Sequence, residues 1–244
     1  MQRNRLYYEL AHLWPLISPP EEYADDARHW HQALREKLGP GRHRILELGV
    51  GGGHNLYHLT PHFQATAVDL SEPMLALSRQ LNPEVEHHVG DMRTIRLGRR
   101  FRAVLVHDAI CYMLIEDDLR ATFATARAHL VTGGVLIVSP DCFRETFKGT
   151  SVIHWTRRKG GLELTCVEYL HDPDPSDTII ESIFFYILAE GGKVEIEQDR
   201  HITGLFSLNT WLRLMEEAGF RVEVKRYPAY EAGYGGYLLV GTAK

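Results

Sequence analysis

Three observations predict an α/β fold: a seven-stranded, mostly parallel, doubly wound sheet into which a smaller antiparallel β-sheet is inserted. Short apolar runs alternate with amphipathic stretches along most of the chain, as they do when helices cover both faces of a parallel sheet. One run, Ile45-Leu46-Glu47-Leu48, stops at the glycine cluster Gly49-Val50-Gly51-Gly52-Gly53, the mark of a buried strand that turns sharply into a helix. Between residues 152 and 203 the alternation gives way to four runs separated only by short Gly- and Pro-containing turns, and such connections demand antiparallel neighbours.

The parallel sheet is expected to use strands at 44–48, 65–69, 85–89, 103–107, 135–139, 221–226 and 236–241, with helices at 55–60, 71–80, 119–130 and 208–217. Ser71 with Glu72 and Pro73 makes a good helix start, combining a capping hydroxyl, an acid at the positive end and proline in the first turn. Thr132-Gly133-Gly134 reads as a helix stop ahead of the fifth strand. The inserted strands are expected at 152–158, 162–170, 178–188 and 194–203. They form either a cover over the carboxyl edge of the parallel sheet or a dimerisation surface. The chain divides into a helical lid segment at 1–40, a main domain at 41–147 and 204–244, and the inserted subdomain at 148–203.

A chain of 244 residues with 44% hydrophobic content supports one large domain with an elaboration. Met1-Gln2-Arg3-Asn4-Arg5 is polar and no apolar run follows it, so a soluble, cytoplasmic protein is expected. Net charge is -5, and the basic residues fall in short clusters such as Arg157-Arg158-Lys159, which argues against a nucleic-acid partner. Cys111, Cys142 and Cys166 lack paired metal-ligand spacing and read as reduced thiols, and no metal site is expected.

A second apolar strand ends at Asp69, 20 residues after Gly49, where a carboxylate can grip a ribose diol with both oxygens. A nucleoside site follows. A dinucleotide fingerprint wants glycines at its first, third and sixth positions; from Gly49 the sixth is His54, and from Gly51 it is Leu56. Neither frame fits. The pattern instead resembles the first motif of the class I S-adenosylmethionine (AdoMet) methyltransferases, acid-x-Gly-x-Gly-x-Gly, on Glu47, Gly49, Gly51 and Gly53. The resemblance implies a Rossmann-like fold with AdoMet as cofactor. It places Glu47 on the cofactor's ammonium, the glycines against its methionine and ribose portions, and Asp69 with Leu70 at the ribose. Asp91 and Met92 fall at its adenine, as in the family's Gly-Asp motif, and Met74 against the adenine face.

His107-Asp108-Ala109-Ile110-Cys111-Tyr112 leaves the fourth strand at the edge that faces the ligand crevice in such sheets. His107 is expected to touch the cofactor, with Tyr112 and Asp108 toward the acceptor and His107 as a weaker candidate for base; pairing of His107 with Asp108 is the plainer alternative. The Tyr112 region, Pro140 to Phe147, His201 to Phe206 and Gly235 to Gly241 are similar to the N-methyltransferases of nucleotide-linked amino sugars. Asp108 and Ala109 depart from the small hydroxyl residues of those enzymes. The N-terminal segment resembles the superfamily's lid, with Tyr8 and Tyr23 placed to close over a sulfonium. The expected function is methyl transfer to a small-molecule acceptor, through an amine nitrogen in preference to oxygen, with a homodimer through the inserted sheet. The alternatives are a non-catalytic nucleoside-binding protein and a nucleic-acid base methyltransferase. The second would carry Asn or Asp-Pro-Pro-aromatic where this chain has His107-Asp108-Ala109-Ile110.

Overall fold

The computed structural model describes residues 4–230 and 233–244; Met1, Gln2 and Arg3, the start of the expected lid segment, lie outside the described residues. Strands β1 (Arg44–Leu48), β2 (Gln64–Asp69), β3 (Glu86–Val89), β4 (Phe101–Val106) and β5 (Leu130–Val138) precede β6 (Ser151–Lys159), β7 (Leu162–His171), β8 (Ile179–Glu190) and β9 (Lys193–Gly204), and the chain closes with β10 (Phe220–Ala229) and β11 (Gly235–Ala243). Helices are α1 (Trp14–Ile17), α2 (Ala24–Leu38), α3 (His54–Leu59), α4 (Glu72–Leu81), α5 (Glu116–Ala128) and α6 (Leu208–Glu217).

The main sheet has the order β10-β11-β5-β4-β1-β2-β3. Only β11 runs against its neighbours; β1, β2, β3, β4 and β5 pair in parallel. Successive side chains alternate between faces, and helices cover both, so each strand needs apolar residues at nearly every position. On one face Leu46, Leu48, Val104 and Val106 pack with Phe123 of α5 and Trp211 of α6. On the other, Ile45, Ala103 and Leu105 pack with Trp30 and Leu34 of α2 and Leu56 of α3. Ser71 caps α4 as expected, its Oγ accepting the Met74 amide at 3.2 Å.

One expectation fails locally. Thr132-Gly133-Gly134 is not the helix stop: α5 already ends at Ala128, and the triplet lies inside β5. There the register against β4 slips between Phe101 and Ala103, as extra residues in one strand of a ladder require. The expected lid segment is helical in short pieces ahead of α2. Residues 5–23 form single 3-10 turns at Arg5–Tyr7, Ala11–Leu13 and Pro20–Tyr23 together with the one-turn α1. Pro15, Pro19 and Pro20 remove the amide donors that a longer helix would need.

The second sheet is an antiparallel meander, β6-β7-β8-β9. Its inner face carries Leu164, Cys166 and Tyr186, which pack on Leu6, Leu10 and Leu13. The N-terminal segment is thereby pressed onto the inserted sheet, while α2 behind it packs on the main one.

Gly53 is required by this packing. It precedes α3 with φ +78°, its carbonyl accepts the buried Asn82 amide at 2.9 Å, and a Cβ there would stand 2.3 Å from Ser78 Oγ and 2.4 Å from Asn82 Nδ2. Gly53→Ala is expected to cost about 1–3 kcal/mol, read as a fall of about 3–10 °C in Tm by calorimetry.

Candidate active site

Strand order reverses between β1 and β4, so the loops leaving their carboxyl ends part and open a crevice. A cavity of about 1040 Å³ occupies it. Its floor is the glycine turn with the ends of β2, β4 and β5; its roof is the inner face of the four-stranded sheet with Tyr7, Trp14 and Tyr23 from the N-terminal segment. The inserted sheet therefore forms a wall of the cavity, the first of its two expected uses.

At the floor, Glu47 is 1% exposed, and its Oε2 has no hydrogen-bond partner among the described residues. Burial pushes its carboxyl up to about 7, against the opposing pull of the His107 charge and the neighbouring Asn55 amide. Asp69 accepts the Gly51 amide on Oδ2 and the Ser71 amide on Oδ1, both at 2.8 Å. Those bonds aim the carboxylate and leave each oxygen a second lone pair. Burial raises its pKa, and the backbone donors oppose that. A Cβ on Gly51 would meet nothing nearer than Met74 Cε at 3.7 Å, so the turn presents bare backbone to the cavity. Gly49, Leu70, Met74, Asp91 and Met92 line the same region. Gly53 does not; its place in the glycine motif reflects the Ser78 and Asn82 contacts. The Asp91 carboxylate is gripped by the Arg93 guanidinium, which lowers its pKa.

Charge concentrates where β4 and β5 end. His107 Nδ1 is ion-paired with the Asp108 carboxylate, and its Nε2 lies 4.0 Å from Asp26 Oδ2 and 3.5 Å from the Tyr227 hydroxyl. Burial alone would lower the imidazole pKa, but Asp108, Asp26 and Glu47 outweigh it and push the value up to about 9. A raised imidazole pKa favours the charged form at neutral pH, a state that suits His107 to pairing with Asp108 more than to acting as a base. Asp141, following β5, is pushed well above the aspartate range by burial and by the facing Asp108. A buried carboxyl pair shares a proton more readily than it holds two charges.

Tyr112 joins a buried chain of hydrogen bonds. Its hydroxyl lies 2.7 Å from that of Tyr7 and 2.8 Å from His201 Nδ1. His201 Nε2 lies 2.9 Å from Asp199 Oδ2, which also accepts the Leu6 amide at 2.7 Å. Burial pushes the Tyr112 phenol well up. Tyr23 lines the cavity with its hydroxyl 3.0 Å from Ser18 Oγ and its ring 5.9 Å from His107; Tyr8 lines it as well. Asp26, Asp141, Glu168, Asp199 and His201 were not singled out by sequence reasoning. A signal exists for three of them. Glu168, Asp199 and His201 are polar at inward register positions of β7 and β9, where alternation calls for apolar residues.

Residues 45–134 match a family described as a methyltransferase domain. The chain is 32% identical over 205 residues to the dTDP-3-amino-3,4,6-trideoxy-alpha-D-glucopyranose N,N-dimethyltransferase of Streptomyces venezuelae, covering 83% of this chain and 85% of the relative. It is 31% identical over 240 residues to the dTDP-3-amino-3,6-dideoxy-alpha-D-glucopyranose N,N-dimethyltransferase of Streptomyces fradiae, covering 97% and 92%. Among solved structures, Streptomyces venezuelae DesVI superposes with a TM-score of 0.85 at 29% identity over 96% of this chain and 98% of that one. AdoMet-bound CalS10, an amino pentose methyltransferase from Micromonospora echinaspora, gives 0.80 at 25% over 91% and 92%. The unpartnered acid, bare glycine backbone and aimed Asp69 suit a cationic amino-acid tail on a nucleoside. The chain belongs to the S-adenosylmethionine-dependent methyltransferases, in the family that holds these amino-sugar N-methyltransferases.

Proposed function

We propose that this enzyme methylates an amine nitrogen of a small acceptor of the amino-sugar class. The observation that carries the reading is one cavity with Glu47 and Asp69 on its floor and, opposite, a wall of the inserted sheet that carries Glu168 and hydroxyl groups; the acceptors named for the relatives supply the amine. Residues 41–147 with 204–244 would form the AdoMet-binding domain, 1–40 the lid and 148–203 the inserted subdomain. Glu47 would receive the cofactor's ammonium, Gly49 and Gly51 its methionine portion, Asp69 its ribose diol, and Leu70, Met74, Asp91 and Met92 its adenine end. His107 would hold the floor in shape beneath it. Tyr8 and Tyr23 would set aromatic faces near the positive sulfur. Bound there, AdoMet supplies a methyl on a leaving group that is already activated. The chain's own task is to exclude water and hold the neutral amine in line, which is worth up to about 7–11 kcal/mol.

Asp108 and Asp141 are the groups best placed to orient the amine, and Tyr112 positions them by bracing the wall. Tyr112→Phe is expected to lower kcat by about tenfold and to leave its pH profile unshifted, because a positioning contact is lost while no general base is, whose removal costs about 100-fold or more. Steady-state assays across pH, with methyl groups counted by mass spectrometry, measure this; absence of methylated amine from an amino-sugar panel would overturn the reading.

Glu47 ties cofactor binding to pH. With its carboxyl up at about 7 in the free protein and held lower by an ammonium, binding requires loss of a proton. Affinity for AdoMet is expected to strengthen several-fold from about pH 5.5 to about pH 7.5 and then level off. Glu47→Gln should weaken binding by about tenfold and flatten that acid limb, as read by titration calorimetry.

The outer face of the four-stranded sheet exposes Val152, Tyr169, Phe185, Val194 and Ile196, and exposed apolar rows of this kind mark protein contacts. A homodimer through this face, acting in the cytoplasm and without nucleic acid, completes the reading. Sedimentation should give a dimer for the wild type and a monomer for Val194→Lys with Ile196→Lys. Among the described residues no helix is long and apolar enough to cross a membrane.

A further inference from the structure

The wall opposite the floor carries two polar groups apart from those that orient the amine. Glu168, on β7, and Tyr186, on β8, both line the cavity. Glu168 stands opposite Phe184, two residues before Tyr186, so the two are diagonal neighbours on the inner face of one ladder. Such positions lie about 7–8 Å apart, and side chains of this length can both reach one small group between them.

Each is held in place, and each has hydrogen-bonding capacity to spare. Glu168 Oε1 accepts the Tyr234 hydroxyl at 2.7 Å and the Ser182 hydroxyl at 2.6 Å, so Oε2 is the oxygen left for a ligand. The Tyr186 ring is stacked on Phe184, with centroids 6.0 Å apart and planes at 7°, and it packs with Leu164 and Cys166 against Leu6, Leu10 and Leu13. Tyr186 is 0% exposed, yet its hydroxyl has no hydrogen-bond partner among the described residues. Burial pushes the phenol well up, so it keeps its proton and can donate. A buried donor without an acceptor is costly, and a ring fixed on both faces cannot turn to find one.

The chemistry of the pair selects its ligand. A carboxylate only accepts, whereas a neutral phenol without a partner is free to donate. An ammonium has no lone pair for Tyr186, and a methylene satisfies neither group. An alcohol hydroxyl satisfies both at once. The pair also stands beside the place assigned to the amine. Gly235 donates its amide to the Asp141 carbonyl at 2.7 Å, and the preceding residue, Tyr234, donates to Glu168, so two adjacent residues tie Asp141 and Glu168 together.

We infer that the acceptor carries a hydroxyl on the ring carbon next to the aminated one, and that Glu168 and Tyr186 recognise it, Glu168 accepting a hydrogen bond from it and Tyr186 donating one to it. This rests on the amine-methylating function above and narrows its substrate class, because it separates a hydroxylated amino sugar from the analogue that lacks the neighbouring oxygen.

The test compares two probes, dTDP-3-amino-3,6-dideoxy-alpha-D-glucopyranose and dTDP-3-amino-3,4,6-trideoxy-alpha-D-glucopyranose, which differ only by the hydroxyl next to the amine. With AdoMet, the full chain is expected to prefer the hydroxylated probe by about 10- to 100-fold in kcat/KM, because the other leaves buried polar groups unpaired. Tyr186→Phe, which removes one oxygen and keeps the ring, should narrow that ratio by about fivefold or more, and Glu168→Gln should narrow it likewise. Affinity for S-adenosylhomocysteine, read by calorimetry and expected to be unchanged, shows that the variants are folded. Equal use of the two probes by the wild type, preference for the deoxygenated one, or a ratio left intact by either folded variant overturns the proposal; water alone at Tyr186 would give the first of these. Methylation of neither probe would instead overturn the amine-methylating reading on which the proposal rests.

Discussion

Everything in this cavity answers to the energetics of carboxyl groups in a space with little water. Glu47, Asp69 and Asp141 are all raised by burial, and each is handled differently. Asp69 is given two backbone amides. Asp141 is set facing Asp108, so that the pair retains a proton. Glu47 keeps an oxygen without a partner among the described residues. One internal cation, His107, stands among them and is stabilised by three carboxylates at once. Removing a partner from such a set leaves a buried charge uncompensated, which costs more than the contact itself contributes.

The second constraint is mechanical. The chain of hydrogen bonds from Asp199 through His201 and Tyr112 to Tyr7 crosses three parts of the sequence: the inserted sheet, the loop after β4 and the N-terminal segment. Asp199 further accepts the Leu6 amide, and the Ser71 hydroxyl donates to the Tyr7 carbonyl. Ser71 caps α4 directly beyond Asp69. The segment that covers the cavity is therefore bonded both to the roof and to Ser71, two residues beyond Asp69 on the floor. Lifting it would break bonds at both ends together, so opening of the cover is coupled to the geometry of the floor.

The main sheet was legible because its signal is local. Apolar runs ending in Gly49, Asp69 and His107 report strands whose carboxyl ends line the cavity, and Glu47 and Asp69 stand on its floor. Gly53 shows the limit: motif position assigns it to the cofactor, whereas its neighbours are Ser78 and Asn82. The acceptor wall was not legible for a related reason. Asp26, Asp141, Glu168 and His201 come from α2, the end of β5, β7 and β9, and only the folding of the inserted sheet over the crevice brings them together. His107 and Asp108 could be seen as a polar pair, but the charge on the imidazole depends on Asp26 and Glu47, one far away in sequence and the other on the neighbouring strand.

An acidic wall poses a difficulty for any amine methyltransferase, because carboxylates favour the ammonium and only the neutral amine can attack. The Asp108 and Asp141 pair offers a resolution. A pair that already shares one proton carries one charge where two separate carboxylates would carry two, and so favours an ammonium less strongly. An amine entering such a site loses its proton at less cost than it would beside two charged carboxylates. Glu168, which accepts the Tyr234 and Ser182 hydroxyls, lacks such a proton-sharing partner, so the two ends of the wall differ in electrostatics as well as in shape.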